Sequence, residues 1–146
     1  MTEALQRLVT AMAGYWIGDE LLTQPGGGIV PSAGYLTVRP ILRGAGMTSD
    51  YEQDGGPAAH TVILPGAAQH TVAMHWYTDS GAAHSFEGTV ETGRLTVSRA
   101  EDGMTHRLIQ DVDGGLLASR YELVMPDGKA MTLVSATYAR QDSAEA

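Results

Sequence analysis

The first hydrophobic pattern in the chain has the period of a helix. Apolar side chains recur at spacings of three and four residues, which places them on one stripe of a helix over residues 2–13: Leu5, Leu8, Val9 and Met12. Thr2 suits the N-cap, and Gly14 is a natural C-terminal stop. The stripe needs a surface to cover, so we expect this short helix to lie across one end of the structure that follows.

From Tyr15 to Arg140 the pattern changes to alternation with period two, which is typical of strands. Turns rich in Gly, Pro and Asp separate ten such segments. The predicted strands are Tyr15–Thr23, Ala33–Leu42, Met47–Gln53, His60–Leu64, His70–Thr78, Ala83–Glu91, Arg94–Ala100, Met104–Val112, Leu116–Met125 and Ala130–Arg140. The polar tail 141–146 is expected to fray.

Short strands joined in sequence by tight turns favour an antiparallel meander. A flat ten-stranded sheet would expose two edges, and closing it into a barrel removes both. The predicted fold is therefore all-β: a ten-stranded antiparallel up-and-down β-barrel over 15–140 with a short N-terminal helix, in one domain covering 1–146. A barrel of this size has room for one small ligand. A β-sandwich has the same periodicity and stays open as an alternative.

Composition and charge narrow the classes of partner. The 146 residues include no cysteine, which excludes disulfides, thiolate metal sites and cysteine nucleophiles. The net charge of −8 argues against nucleic acid and anionic membranes, which both favour basic surfaces. Neither a signal-type apolar segment nor a run of about 20 apolar residues is present, so a cytoplasmic protein is expected. A homodimer is left open.

The segment around Trp76 carries the densest set of functional side chains. Met74, Trp76 and Thr78 share one face of the strand, and His75 and Tyr77 share the other. The first face would give an apolar, aromatic wall, whereas the second would supply a general acid and base, with His106 as a third candidate catalytic group. Periodicity does not decide which face is inside.

The other strands contribute further candidates for the interior. The predicted ligand-binding set is Tyr35, Tyr51, Trp76, Phe86, His106, Tyr121 and Met131, with Leu108 on the same lining. Such a set matches both a small-molecule pocket and a filled barrel core. Among the strand carboxylates Glu20 is the strongest candidate for burial, with Arg39 or Arg107 as its partner. No histidine spacing indicates a metal site, and none is predicted.

Several short motifs resemble those of the lipocalin (calycin) superfamily, and more closely those of a bacterial lipocalin-like domain family of unknown function. They are Gly14-x-Trp16-x-Gly18, the turn Arg43–Gly46 before Asp50-Tyr51-Glu52, Trp76–Ser80 followed by Glu87-Gly88-Thr89, the turn Asp127-Gly128-Lys129 and the final Thr137-Tyr138-Ala139-Arg140. The resemblance implies structural roles for Trp16 and Arg140, with the guanidinium stacked on the indole at the closed end. A related barrel family binds haem, but its histidine signature is absent from the last strands here, so no cofactor is predicted.

Two functional hypotheses follow. The first is a small-molecule-binding calycin barrel that holds a hydrophobic or aromatic ligand. The second is a cofactor-free cyclase or isomerase of polyketide-type secondary metabolism, with His75, Tyr77 or His106 as its acid or base. A structural role through one face of the sheet is a third reading. Whether the chain is an enzyme is not decided by its sequence.

Overall fold

A computed structural model describes residues 3–141, so the predicted Thr2 cap and all but the first residue of the tail lie outside the described range. The elements are α1 (Glu3–Met12), β1 (Gly14–Thr23), β2 (Ile29–Ile41), a 3₁₀ turn (Leu42–Gly44), β3 (Gly46–Gln53), β4 (Ala58–Pro65), β5 (Thr71–Thr78), β6 (Ala83–Glu91), β7 (Arg94–Glu101), β8 (Met104–Asp113), β9 (Leu116–Val124) and β10 (Ala130–Arg140).

The ten strands form one closed antiparallel barrel. Each strand pairs with its neighbours in sequence, and β1 also pairs with β10, in a register that places Trp16 opposite Arg140. The all-β barrel with a short N-terminal helix is thus confirmed, and a sandwich is excluded. The closure between β1 and β10 removes the two free edges that a flat meander would leave.

The clearest boundary difference is in β2, which begins at Ile29 rather than at Ala33. Residues 29–33 extend the pairing with β1, whereas β3 ends at Gln53, opposite Gly34. Pro31 is tolerated in this stretch because the stretch is paired on one side only.

One end of the barrel is closed by α1. The apolar stripe of the helix is buried, as its periodicity predicts. Trp16 is fully buried beneath the helix, and its indole Nε1 donates a hydrogen bond to the backbone oxygen of Met12 at 2.9 Å. The guanidinium carbon of Arg140 lies 4.6 Å from the centre of the Trp16 ring, and its nitrogens donate to the backbone oxygens of Ala11 and Ala13. Arg140 therefore ties the last strand to the end of the helix.

The core does not fill the barrel evenly. On the side of β6 and β7, buried side chains occupy the interior: Phe86, Val90, Leu95 and Val97. A space remains in the rest of the interior, where it is lined by residues of β2, β3, β4, β5, β8, β9 and β10. Within the described residues, no helix is long and apolar enough to cross a membrane.

Candidate functional site

The interior holds a cavity of about 340 Å³, which reaches from Met12 of the helix towards the open end of the barrel. This volume lies within the range of about 300–1,000 Å³ that is usual for small-molecule sites. The wall is mostly apolar, with these side chains among its lining: Met12, Leu36, Val38, Met47, Ile63, Met74, Trp76, Leu108, Leu133 and Val134. Among the residues described, neither β6 nor β7 contributes to the wall. The cavity therefore lies to one side of the barrel interior, beside the packed side chains of β6 and β7.

A buried carboxylate lies directly behind one side of this wall. Glu20 is 1% exposed, and its Oε2 accepts hydrogen bonds from the hydroxyls of Tyr51 and Tyr138, each at 2.6 Å. The amide Nε2 of Gln53 approaches Oε1 at 3.4 Å and the Tyr51 hydroxyl at 3.3 Å. These three partners of Glu20 all line the cavity. Together the four residues form what we call the Glu20 cluster.

The carboxylate is an acceptor in every one of these contacts. Burial, followed by the hydrogen bond to Glu20, raises the pKa of Tyr51 well above its ordinary value, and the same two causes raise the pKa of Tyr138. Both phenols therefore remain protonated donors at neutral pH. Within residues 3–141, no arginine, lysine or histidine forms an ion pair with Glu20. The cluster is a buried acidic side chain whose hydrogen-bonding partners are two hydroxyls and an amide.

Two facing glycines make room for the cluster. Gly18 of β1 lies opposite Gly34 of β2 and also opposite Tyr138 of β10. A Cβ atom on Gly34 would collide with the carboxylate of Glu20 and come within 3.1 Å of Cε1 of Tyr138. A Cβ atom on Gly18 would lie 2.5 Å from Cδ1 of the same ring. The missing side chains therefore provide the space that Glu20 and Tyr138 occupy.

The variant Gly34→Ala tests this account of the cluster. We expect it to lower the free energy of unfolding by about 1–3 kcal/mol, the usual cost of overpacking a core. The matched control is Gly28→Ala, where an added Cβ meets nothing within 4 Å and which should leave stability nearly unchanged. Urea unfolding followed by circular dichroism measures both, and equal midpoints for the two variants would contradict the close packing at Gly34.

Aromatic and cationic side chains meet on the inner face near the open end. The Trp76 ring stacks on Phe86 and meets Tyr121 edge-on, with both pairs of ring centres 5.6 Å apart. The Tyr121 hydroxyl and Nδ1 of His106 are 2.8 Å apart. Arg99 lies over Phe86, 5.6 Å from the ring centre, and also pairs with Glu101. Trp76 and Tyr121 face the cavity, and the other side chains support them from behind.

Burial lowers the pKa of His106, and the nearby Arg99 guanidinium and His84 lower it further, whereas Glu101 acts in the opposite direction. The neutral imidazole is therefore favoured in the folded protein. Because the pKa of His106 is lower in the folded than in the unfolded protein, the residue contributes to stability at pH values above its unfolded-state pKa, near 6.5. That contribution is lost as the pH falls through the folded-state pKa. Neutral His106 holds the Tyr121 hydroxyl in place.

Imidazole NMR titration checks this prediction. His106 of the folded protein should titrate below the same residue in the urea-unfolded chain, and Arg99→Gln should raise its pKa in part, since burial is the larger cause. A folded-state value at or above the unfolded one would contradict the assigned environment.

The residues predicted from the sequence to line the ligand site divide into three groups. Tyr51, Trp76, Leu108 and Tyr121 line the cavity. Phe86 and His106 are on the inner face but lie behind this lining, in contact with Trp76 and Tyr121. The interior positions predicted for Tyr35 and Met131 are wrong: Tyr35 alternates with the cavity residues Leu36 and Val38 and so faces outward, and Met131 lies at the open rim, 41% exposed.

His75 and Tyr77 do not face the interior, so they cannot act as an acid/base pair within it. Their neighbours Met74 and Trp76 line the cavity, and alternate residues of a strand point to opposite faces. Nδ1 of His75 is 3.2 Å from the Ser85 hydroxyl on the outer surface, and Tyr77 is 47% exposed. The strand places its apolar face inward because burying Met74 and Trp76 removes more hydrophobic surface from water.

Glu20, the strongest candidate for a buried carboxylate in the sequence, is buried, but neither of the arginines predicted as its partner contacts it. Arg39 pairs instead with Asp50, and Arg107 with Glu122. Tyr138 and Gln53, which are partners of Glu20 in the structure, are not predicted as such from the sequence. Nor is an inward position predicted for Arg99, which lies on the inner face near Phe86. The sequence does indicate an inward position for Arg99, since Arg99 continues the alternation of Leu95 and Val97.

Among residues 3–141, no three histidine, aspartate or glutamate side chains converge in a way that could hold a metal ion.

Comparisons with known proteins show the fold. No protein-family model matches the chain, and no curated protein matches it. Rv2717c from Mycobacterium tuberculosis superposes with a TM-score of 0.70 at 13% identity, over 95% of this chain and 98% of that one. The S-type phycobiliprotein lyase CpeS from Guillardia theta gives 0.63 at 11%, over 92% and 91%.

A third solved structure is a protein of unknown function from Nostoc punctiforme, of the DUF3598 family. It has a TM-score of 0.63 and 9% identity, and the match covers 91% of this chain but 49% of that one. Together with the closed ten-stranded barrel, these similarities show a lipocalin-like fold.

Proposed function

We propose that the barrel binds a small, predominantly apolar ligand with an aromatic part, within the interior cavity, as calycin proteins do. The observation that carries this proposal is the interior space of about 340 Å³, whose mostly apolar wall includes a polar corner, the Glu20 cluster. A barrel core that only stabilised the fold would gain by filling this space, because each missing methylene costs packing energy. Trp76 and Tyr121 supply flat faces on which an aromatic ring can stack.

A fluorescence titration tests the proposal. The probe 2-methylnaphthalene is a small aromatic hydrocarbon and carries no polar group. Trp76 lines the cavity, whereas Trp16 is sealed at the closed end, so a ligand in the cavity should change the Trp76 emission in a saturable, one-to-one manner. Trp76→Phe should remove the signal but keep binding, as measured by calorimetry. No saturable binding of 2-methylnaphthalene or of its polar analogues 2-naphthylmethanol and 2-naphthylmethylamine by either method would contradict the proposal.

The Glu20 cluster also favours a second candidate, a cofactor-free isomerase or cyclase that uses the cavity as its active site. A buried carboxylate with two phenols can accept and return a proton within a water-poor space. In this reading Tyr51 and Glu20 replace the outward-facing His75 and Tyr77 as the reacting groups. Turnover of an enolisable polyketide-type substrate that is lost in Tyr51→Phe would support it, and turnover unaffected by that change would remove it.

A further inference from the structure

We infer that the cavity selects its ligands by charge and polarity, taking cationic amines and neutral hydrogen-bond donors over apolar analogues and excluding anionic amphiphiles such as carboxylates. This inference rests on the proposed binding function and names the class of ligand. It follows from the buried Glu20 carboxylate, its partners in the cavity wall and the absence of a compensating cation among the described residues around it.

The buried carboxylate of Glu20 favours a cationic ligand over an anionic one. Two charges a few ångströms apart interact far more strongly in a buried, low-dielectric site than in water. Glu20 is 1% exposed, and its three hydrogen-bonding partners lie between it and the cavity. A ligand ammonium that reached these partners would gain from the carboxylate behind them, whereas a ligand carboxylate would be repelled. The desolvation of an ammonium is offset only where such a counter-charge is present.

The hydrogen bonds of the Glu20 cluster favour a ligand that carries a hydrogen-bond donor. Tyr51 and Tyr138 donate their hydroxyl protons to Glu20, so what each can offer a ligand is an oxygen lone pair. The Tyr51 oxygen also accepts a hydrogen bond from Nε2 of Gln53, at 3.3 Å. Donation to a carboxylate polarises the phenol and makes its oxygen a better acceptor. The polar corner therefore matches a donor such as an alcohol, a phenol or an amine.

The other charged groups do not reverse this preference. Arg99 is the cation on the inner face near the open end, but it is paired with Glu101 and lies over Phe86, behind the Trp76 wall. Arg140 is at the closed end, bonded to the carbonyls that end the helix. Neither belongs to the lining of the cavity.

Four probes with one aromatic body and different heads test the inference: 2-naphthylmethylamine, 2-naphthylmethanol, 2-methylnaphthalene and 2-naphthoate. Calorimetry at pH 7 should rank the affinities in that order, with the amine at least about tenfold tighter than the hydrocarbon and the carboxylate weakest. In Glu20→Gln the preference of amine over carboxylate should fall by at least about tenfold. Tyr51→Phe should reduce the preference of alcohol over hydrocarbon.

The matched control is Asp19→Asn, which removes the same charge from the exposed neighbour of Glu20 on β1. It should leave the ranking unchanged, which separates the local effect from attraction by the net charge of −8. Thermal unfolding of each variant verifies that it is folded at the titration temperature.

The outcomes separate the two proposals. If the hydrocarbon or 2-naphthoate binds as tightly as the amine, the inference fails and the binding function stands. If the ranking is the same in Glu20→Gln and the parent chain, the carboxylate is not its cause and the inference also fails. If none of the four probes binds, the proposed function fails, and the inference with it.

Discussion

Replacing Trp16 with alanine is expected to cost about 3–5 kcal/mol of unfolding free energy, the usual range for removing a large aromatic side chain from a core. The indole is fully buried, packs under α1, stacks against Arg140 and donates a hydrogen bond to Met12. Its loss would remove the contacts that join the helix, β1 and β10 at the closed end. Urea unfolding gives the difference directly.

Trp76→Ala is the matched control for Trp16, because it deletes the same side chain from a wall that faces an open cavity. The loss should be smaller there, since one side of the Trp76 ring has fewer packing partners. A smaller loss at Trp16 than at Trp76 would contradict the assignment of the closed end as the anchor of the barrel.

Filling the cavity should abolish ligand binding without unfolding the protein. Ala59 of β4 lines the cavity opposite Tyr51, so the side chain introduced by Ala59→Trp would project into the space a ligand needs. We expect the affinity for 2-naphthylmethanol to fall at least about a hundredfold, or about 2.8 kcal/mol. Calorimetry measures the loss.

Ala118→Trp provides the control for this substitution. Ala118 is exposed on β9 between Leu117 and Ser119, whose side chains point inward. The same change there adds equal bulk on the outer surface and should leave the affinity unchanged. Equal losses in both variants, or none in either, would place the binding site outside the barrel.

The fold could be read from the sequence because each of its signals is local. Alternation with period two, a helical stripe before the first strand and tight turns between neighbours lead to a meander, and the cost of free edges leads to closure. The ends of β2 were less predictable. The extent of β2 depends on which neighbouring strand is present at each position, as the pairing of residues 29–32 with β1 shows.

The site was only partly predictable, because it depends on register and on contacts between distant strands. Where large apolar residues alternate with clearly polar ones, as at Phe86 and Glu87, the inward face follows from the sequence. In β2 both faces carry apolar residues, Leu36 and Val38 on one and Tyr35 on the other. The aromatic residue favoured the Tyr35 face as the inward one, and that prediction is wrong. The burial of Leu36 and Val38 shows that the aliphatic pair is inside.

The Glu20 cluster illustrates the part that periodicity cannot supply. Glu20 and Tyr138 are 118 positions apart, and their contact depends on the pairing of β1 with β10 and on two glycines that face each other. Charge matching suggested arginine partners for Glu20. In the structure, phenols fill that role because hydroxyl donors can satisfy a buried carboxylate in a confined, mostly apolar space without introducing a second buried charge.

The central claim is that a ligand binds inside the barrel, against the wall on which Glu20 and its partners lie. Selective ¹³C-methyl labelling of methionine tests it most directly, because Met12, Met47 and Met74 line the cavity whereas Met104, Met125 and Met131 do not. Bound 2-naphthylmethanol should give nuclear Overhauser contacts from its ring protons to the first three methyl groups. Contacts confined to the other three, or none at saturation, would contradict the account.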